Sequence, residues 1–253
     1  MADFDETIPL IQEPTVQTLP RPRAKGRDGT GASDAVLTDE PFLLQADFSD
    51  PLVSAELEQA LSAERFSRYL GWADGDRARA FELYAQNAHQ SAALYLPLQM
   101  LEVVLRNRIH TVLSNAVGPD WFDNEDLLTQ RRQQAQIARA KAEITEQRRA
   151  PTGDRIVSAL MFSFWTNMLS PAYENLWQTT LHRIARRADG KGLRRRDLAD
   201  PLMPIRSLRN RIAHHEPVVH WNLPRYYRSV LTIVAWLSPV AAVWCRDRCG
   251  FDV

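Results

Sequence analysis

The chain has 253 residues, 45% of them hydrophobic and 25% charged, a balance that describes a globular protein able to bury one large core or two small ones. Its 31 Lys and Arg equal its 31 Asp and Glu, but ten acids and four bases fall in the first fifty residues, leaving 27 bases against 21 acids beyond them. That excess permits a polyanionic partner such as RNA yet falls far short of the basic stripe of a dedicated nucleic-acid binder, and two cysteines, Cys245 and Cys249, are too few for a disulfide framework or a paired-cysteine zinc module.

Residues 1–50 mix Pro9, Pro14, Pro20 and Pro22 with Gly26, Gly29 and Gly31 and show no sustained periodicity, which reads as a disordered acidic tail. The opening MADFDETIPL is acidic where an export signal is basic and then apolar, so it does not read as an export sequence, and the two cysteines without a paired cluster fit a reducing cytoplasm. From Ser54 the pattern turns helical: Leu57, Leu61, Tyr69 and Leu70 recur near helical spacing up to Gly71. A long helical stretch follows over 74–117, in which Pro97 must kink the helix or split it, and Gly118-Pro119 ends it.

Residues 131–149 are charged and free of Gly and Pro, predicting a solvated helix. Thr152 is placed to cap an apolar helix carrying Ile156, Val157, Leu160, Met161, Phe164 and Trp165, and Ser170-Pro171 and Asp200-Pro201 each announce a further helix. Asn222, two residues before Pro224, opens the last apolar stretch, and Ser238-Pro239 restarts it as a short terminal helix. The apolar run 229–245 is interrupted there and is too short for a comfortable membrane span, so it reads as buried core, with a membrane anchor as the alternative. With no strand-like alternation, the expected fold is all-α, a bundle of six to nine helices over 51–253.

The chemistry concentrates in Ser207-Leu208-Arg209-Asn210-Arg211-Ile212-Ala213-His214-His215-Glu216-Pro217. Arginine holds phosphate and histidine exchanges protons near neutral pH. Pro217 pushes the residue before it out of helical geometry, so the two histidines belong to the last turn of a helix. Asn210 and His214 share a face at four-residue spacing, as do Arg211 and His215. Arg106-Asn107-Arg108-Ile109-His110 echoes the pattern. If the edge bearing Arg106 and His110 faces a cleft, it supplies a second phosphate contact.

The string LRNRIAHHEPV at 208–218, with PLQMLEVVLRNRIH at 97–110, SALMFSFWTNMLS at 158–170 and YENLW at 173–177, resembles the Abi-like (abortive-infection) family, which is placed among the HEPN-fold proteins. The resemblance spans 54–245. It implies a helical HEPN domain that forms a homodimer and cleaves RNA without metal or cofactor, leaving a cyclic phosphate, in a phage-defence or toxin setting where an antitoxin or regulator is a further partner. On that pattern Arg209, Asn210 and His214 are catalytic: His214 the general acid/base, Arg209 the group stabilising the phosphorane, Asn210 the orienting amide. Arg211, His215 and Glu216 are supporting residues.

Other readings of the same residues stay open. A cluster of Arg, Asn and His at a helix end also serves as a polar network pinning neighbouring helices, which would make the chain an interaction protein, and the same pocket without turnover would make it an RNA- or nucleotide-binding module. A metal at His214, His215, Glu216 and His220 is disfavoured, because adjacent histidines diverge by about 100° on a helix and no HExxH spacing occurs. The loop carrying Arg186, Arg187, Lys191, Arg194, Arg195 and Arg196 suits either an RNA backbone or a plain exposed connector. The seven tryptophans sit mostly at core spacings and read as packing. Neither a GxxxxGK loop nor a serine or cysteine nucleophile motif is present.

Overall fold

The structure, a computed structural model, describes Phe48 and residues 50–251; the expected disordered tail lies outside them, apart from its last few positions. Among the described residues there are helices and no strands. The first helix, α1 (Pro51–Ala60), starts at a proline with the Asp50 carboxylate accepting from the Leu52 N–H at 2.8 Å, a good first-turn arrangement. The chain then breaks at Ser62, whose φ is 71°, and α2 (Ala63–Trp72) follows, so the segment read as one helix is two. Gly71 lies inside α2, and the stop comes after Trp72, where Asp74 (φ 54°) and Gly75 (φ 84°) take left-handed backbone.

The central post is α3 (Arg77–Val117), 41 residues in one helix. Its buried face, Leu94, Leu98, Leu101, Leu105, Ile109, Val112 and Leu113, repeats at three and four residues, the stripe a core-facing helix needs. Pro97 does not split it. The missing proline N–H leaves the Ala93 carbonyl without its usual partner, and the Cys249 thiol, brought in from the far end of the chain, donates to that carbonyl at 3.4 Å. Gly118 ends the helix with φ 103°.

After a 3-10 turn at Trp121–Asp123, α4 (Arg131–Glu146) is less solvated than its charge suggests. Gln133, Ile137, Ala140 and Ile144 form a buried stripe, and the Gln133 amide is satisfied inside, donating to the Phe164 carbonyl at 3.1 Å and accepting from the Tyr173 hydroxyl at 2.5 Å. The next apolar stretch expected as one helix is two, α5 (Gly153–Ala159) and α6 (Phe162–Asn167). Ile156, Val157, Leu160, Phe162, Phe164 and Trp165 are all buried and would point around more than one face of a straight helix. The extended backbone at Leu160 (ψ 132°) re-aims the second group. Thr152 and Ser170 sit at caps without side-chain capping bonds.

A 3-10 turn at Pro171–Tyr173 leads into α7 (Glu174–Thr179), and another, Leu181–Ile184, precedes α8 (Arg195–Ala213). Here the expectation from Asp200-Pro201 fails: α8 begins earlier, at Arg195, because Asp197 in its first turn accepts from the Arg194 N–H at 3.0 Å and from its guanidinium. Pro201 and Pro204 therefore lie inside the helix. Two capped helices finish the chain, α9 (Leu223–Leu237) with Asn222 accepting from the Arg225 N–H at 3.1 Å, and α10 (Pro239–Arg248) with the Ser238 hydroxyl accepting from the Ala241 N–H at 3.3 Å. The ten α-helices among the described residues exceed the expected six to nine because two segments read as single helices, the one from Ser54 to Gly71 and the one capped at Thr152, are each two. None of the described helices is long and apolar enough to cross a membrane. The α3 stripe packs on α9, α10 and α6 in one main core, and a smaller cluster around Phe66, Tyr69, Ala73 and Ala80 fastens α2 to the start of α3. Burial pushes the Cys245 thiol up to about 11, which keeps it unreactive near neutral pH.

The α7–α8 junction has a charge dependence. The Arg195 guanidinium, almost fully buried, donates to Glu174 at 2.6 Å and to the Leu169 carbonyl at 2.6 Å. Its bond to Glu174, aided by Gln178, holds that carboxyl below the usual range, and the Arg194 bond does the same for Asp197. Carboxyls depressed in the folded state contribute stability above their unfolded values, near 4, and lose it as pH falls through the folded ones. The urea midpoint is therefore expected to hold steady above about pH 5 and to decline on acidification, with a shallower decline in Glu174→Gln.

Candidate active site

The motif helix ends earlier than its sequence suggests, so that both histidines lie past its last turn rather than in it, and the reason is local. α8 stops at Ala213, His214 is the cap residue (φ −96°), and His215 takes left-handed backbone with φ 55°. The His215 N–H donates to the Ile212 carbonyl at 3.1 Å and the Glu216 N–H to the Arg211 carbonyl at 2.8 Å. That pair of reverse bonds is a Schellman stop, with histidine in the place glycine usually takes and proline just beyond it. The string His214-His215-Glu216-Pro217 thus carries helix termination as well as any chemistry.

Arg209, half-exposed, is ion-paired with Glu102 of α3 at 3.2 Å. Arg211 turns away toward Glu216 at 3.4 Å and the Pro217 carbonyl at 3.4 Å, with its guanidinium 5.2 Å from the Trp221 ring centre. An open groove of about 810 Å³ runs between α3 and the end of α8, with Arg65 of α2 on its rim. Tyr84, Tyr95 and Leu98 give it an apolar wall, and Glu102, Arg209 and His215 give it charge and proton chemistry. Of the expected catalytic residues, only Arg209 lines this groove. Asn210 and His214 are exposed on the next face of the helix, and among the described residues neither side chain has a hydrogen-bond partner in the protein. Arg209 and His214, five residues apart, diverge by roughly 140° around the helix.

The echo of the motif lies elsewhere. Arg108 donates to the Ile184 carbonyl at 3.0 Å and the Arg183 carbonyl at 3.2 Å, closing the end of the third 3-10 turn. His110 Nδ1 accepts from the Trp121 indole at 2.9 Å; indole nitrogen only donates, so that ring nitrogen is committed as an acceptor. Among the described residues, Arg106 Nε is buried without a partner. Neither Arg106 nor His110 lines the groove.

The basic loop is largely neutralised: Arg187 and Arg194 pair with Asp197, Lys191 with Asp189, and Arg195 is buried against Glu174. Among the described residues no three His, Cys, Asp or Glu side chains converge as a metal site would require.

Two groove residues escaped sequence reading. Asn87 is buried, and its Oδ1 accepts from the Val218 N–H at 2.6 Å, tying the segment that leaves the motif to α3. Its signal was its register, seven residues after Ala80 and seven before Leu94, which puts an amide on the core face. Glu102 left no comparable signal, since its partner stands 107 residues away. Comparison of the chain with protein-family models, with curated proteins and with solved structures found no match.

Proposed function

We propose that the chain is an endoribonuclease of the Abi-like, HEPN type that cleaves RNA through an Arg/His pair assembled across a homodimer, without a metal, in a phage-defence or toxin system held in check by a regulator. The observation that carries this reading is the unsealed end of α8: Arg209 faces an open groove, and the His214 imidazole and Asn210 amide stand exposed with no protein partner among the described residues. The divergence of Arg209 and His214 around one helix favours a shared site, in which each copy supplies the group the other lacks.

The chemistry follows from the residue types. His214 takes the proton from a 2′-hydroxyl as the 2′-oxygen bonds to phosphorus, the bond to the 5′-oxygen breaks, and that oxygen leaves with a proton from the second copy's imidazole. Arg209 neutralises the negative charge that builds on the phosphorane. The products are a 2′,3′-cyclic phosphate and a 5′-hydroxyl. The test is cleavage of total RNA in EDTA by purified protein, with end-group analysis of the fragments. Retained RNA binding with no cleavage, or ends of any other kind, would reject the reading.

A second reading, a binding module without turnover, is favoured by the Arg209–Glu102 pair, because a guanidinium already held by a carboxylate is slower to serve phosphate. Glu102→Gln separates the two. Freed from its acid, Arg209 is expected to bind single-stranded RNA several-fold more tightly, and the slope of log affinity against log salt is expected to steepen by about 0.7, one more phosphate contact. Filter binding at several salt concentrations measures both. A cleavage rate that rises with affinity supports turnover; affinity gained with cleavage still absent supports binding alone.

A further inference from the structure

A second cavity, of about 760 Å³, opens between the N-terminal half of α8 and the start of α9, within the range of sites that enclose small ligands. Trp221 and Tyr226, both half-buried, line it as a tilted aromatic pair, with ring centres 5.5 Å apart and planes inclined by 37°. Arg211, a residue of the motif helix, lies over the Trp221 ring and joins this pair to the candidate active site. Besides Asn222, whose side chain is taken up in capping α9, the polar lining is Asp200, His220, Arg225 and Ser229. Among the described residues, none of these side chains has a hydrogen-bond or ion-pair partner in the protein. Pro204 adds an acceptor, because it lacks the N–H that the Asp200 carbonyl would receive in a regular helix.

An aromatic surface beside an unpaired carboxylate and an unpaired guanidinium has the chemistry of a nucleotide site. We propose that this cavity binds a nucleobase, with guanine preferred, and that it seats a base of the RNA strand next to the one being cut. The base stacks on Trp221 and Tyr226, as any base will on an aromatic face. Asp200 selects among the bases: guanine alone presents two adjacent donors, N1–H and the 2-amino group, to a carboxylate's two oxygens, whereas adenine turns an acceptor toward it and uracil a single donor between two acceptors. Arg225, exposed at the start of α9, is placed for the phosphate. The role in RNA positioning rests on the nuclease reading; the guanine site itself does not.

Equilibrium dialysis of the full chain against labelled GMP, AMP, CMP and UMP tests the site without any cleavage. GMP is expected to bind at least about tenfold more tightly than the other three. Asp200→Asn is expected to abolish that preference, and Trp221→Ala to weaken all four alike. Arg225→Gln is expected to weaken GMP while leaving guanosine unchanged. Asp200 and Arg225 are exposed, so their variants are expected to fold normally, and Trp221→Phe keeps a ring should the alanine variant melt early by circular dichroism. His214→Ala is expected to bind GMP as wild type does. Absence of GMP binding, equal affinity for the four nucleotides, or a preference that survives Asp200→Asn would overturn the proposal. RNA cleavage without GMP binding removes this site and spares the nuclease; GMP binding without cleavage does the reverse.

Discussion

Replacing His214 with alanine is expected to lower metal-free RNA cleavage by about 10²–10⁴-fold, the usual contribution of a positioned acid/base, with helix content and melting left unchanged. The two halves of this expectation come from one observation. His214 is exposed at the helix cap and its ring bonds to nothing in the protein among the described residues, so truncating it removes no packing and no internal bond; surface changes of that kind stay within about 0.5 kcal/mol. His215 is the necessary control, because it lines the groove and His214 does not. His215 also holds a left-handed backbone at φ 55°, which glycine adopts without strain, so His215→Gly is expected to keep or slightly raise stability. Cleavage lost in His214→Ala and kept in His215→Gly assigns the proton transfer to residue 214. The opposite pattern would move it to the groove-lining imidazole, and full activity in both would remove the histidines from the chemistry.

The helical class and most helix ends were legible because local chemistry writes them. Asn222, Ser238 and Gly118 act where their side chains or backbone freedom require, and the α3 stripe follows directly from apolar spacing. Elsewhere a distant contact or a competing nearby signal decided between the outcomes that the local pattern allowed. Pro97 stays within one helix because Cys249 returns from 156 residues away to satisfy the orphaned carbonyl, and Asp200-Pro201 loses to a local competitor, the Asp197 carboxylate three residues upstream, whose bonds with Arg194 start the helix first. The motif itself was legible as a cluster but not as a geometry. Four-residue spacing brought Asn210 and His214 onto one face, yet it could not place Arg209 against Glu102 or Arg211 against Trp221. Trp221, read as packing with the other tryptophans, is half-exposed on a cavity wall, unlike the buried Trp121, Trp165 and Trp177.

Leu208 and Arg209, adjacent on α8, are expected to respond to alanine in opposite ways. Leu208 is fully buried and completes the stripe of Leu198, Leu202 and Ile205 that holds α8 on the core. Its truncation leaves a cavity and is expected to cost about 2–5 kcal/mol in urea unfolding. The protein that remains folded still presents Arg209 and His214 on an intact helix end, so cleavage per folded molecule stays near wild type. Arg209 is more than a third exposed, at 38%, and its bond to Glu102 spans 3.2 Å. Solvent screening limits such a pair to about 1 kcal/mol or less, so Arg209→Ala is expected to unfold close to the wild-type midpoint while losing cleavage by about 10²–10³-fold, the effect of removing one group that stabilises an oxyanion. The contrast bears on the structural alternative. A polar network whose only task is to pin helices must register in stability first, so an Arg209→Ala variant that unfolds as easily as Leu208→Ala would mark the motif as architecture, and one that folds normally but cannot cut would mark it as chemistry.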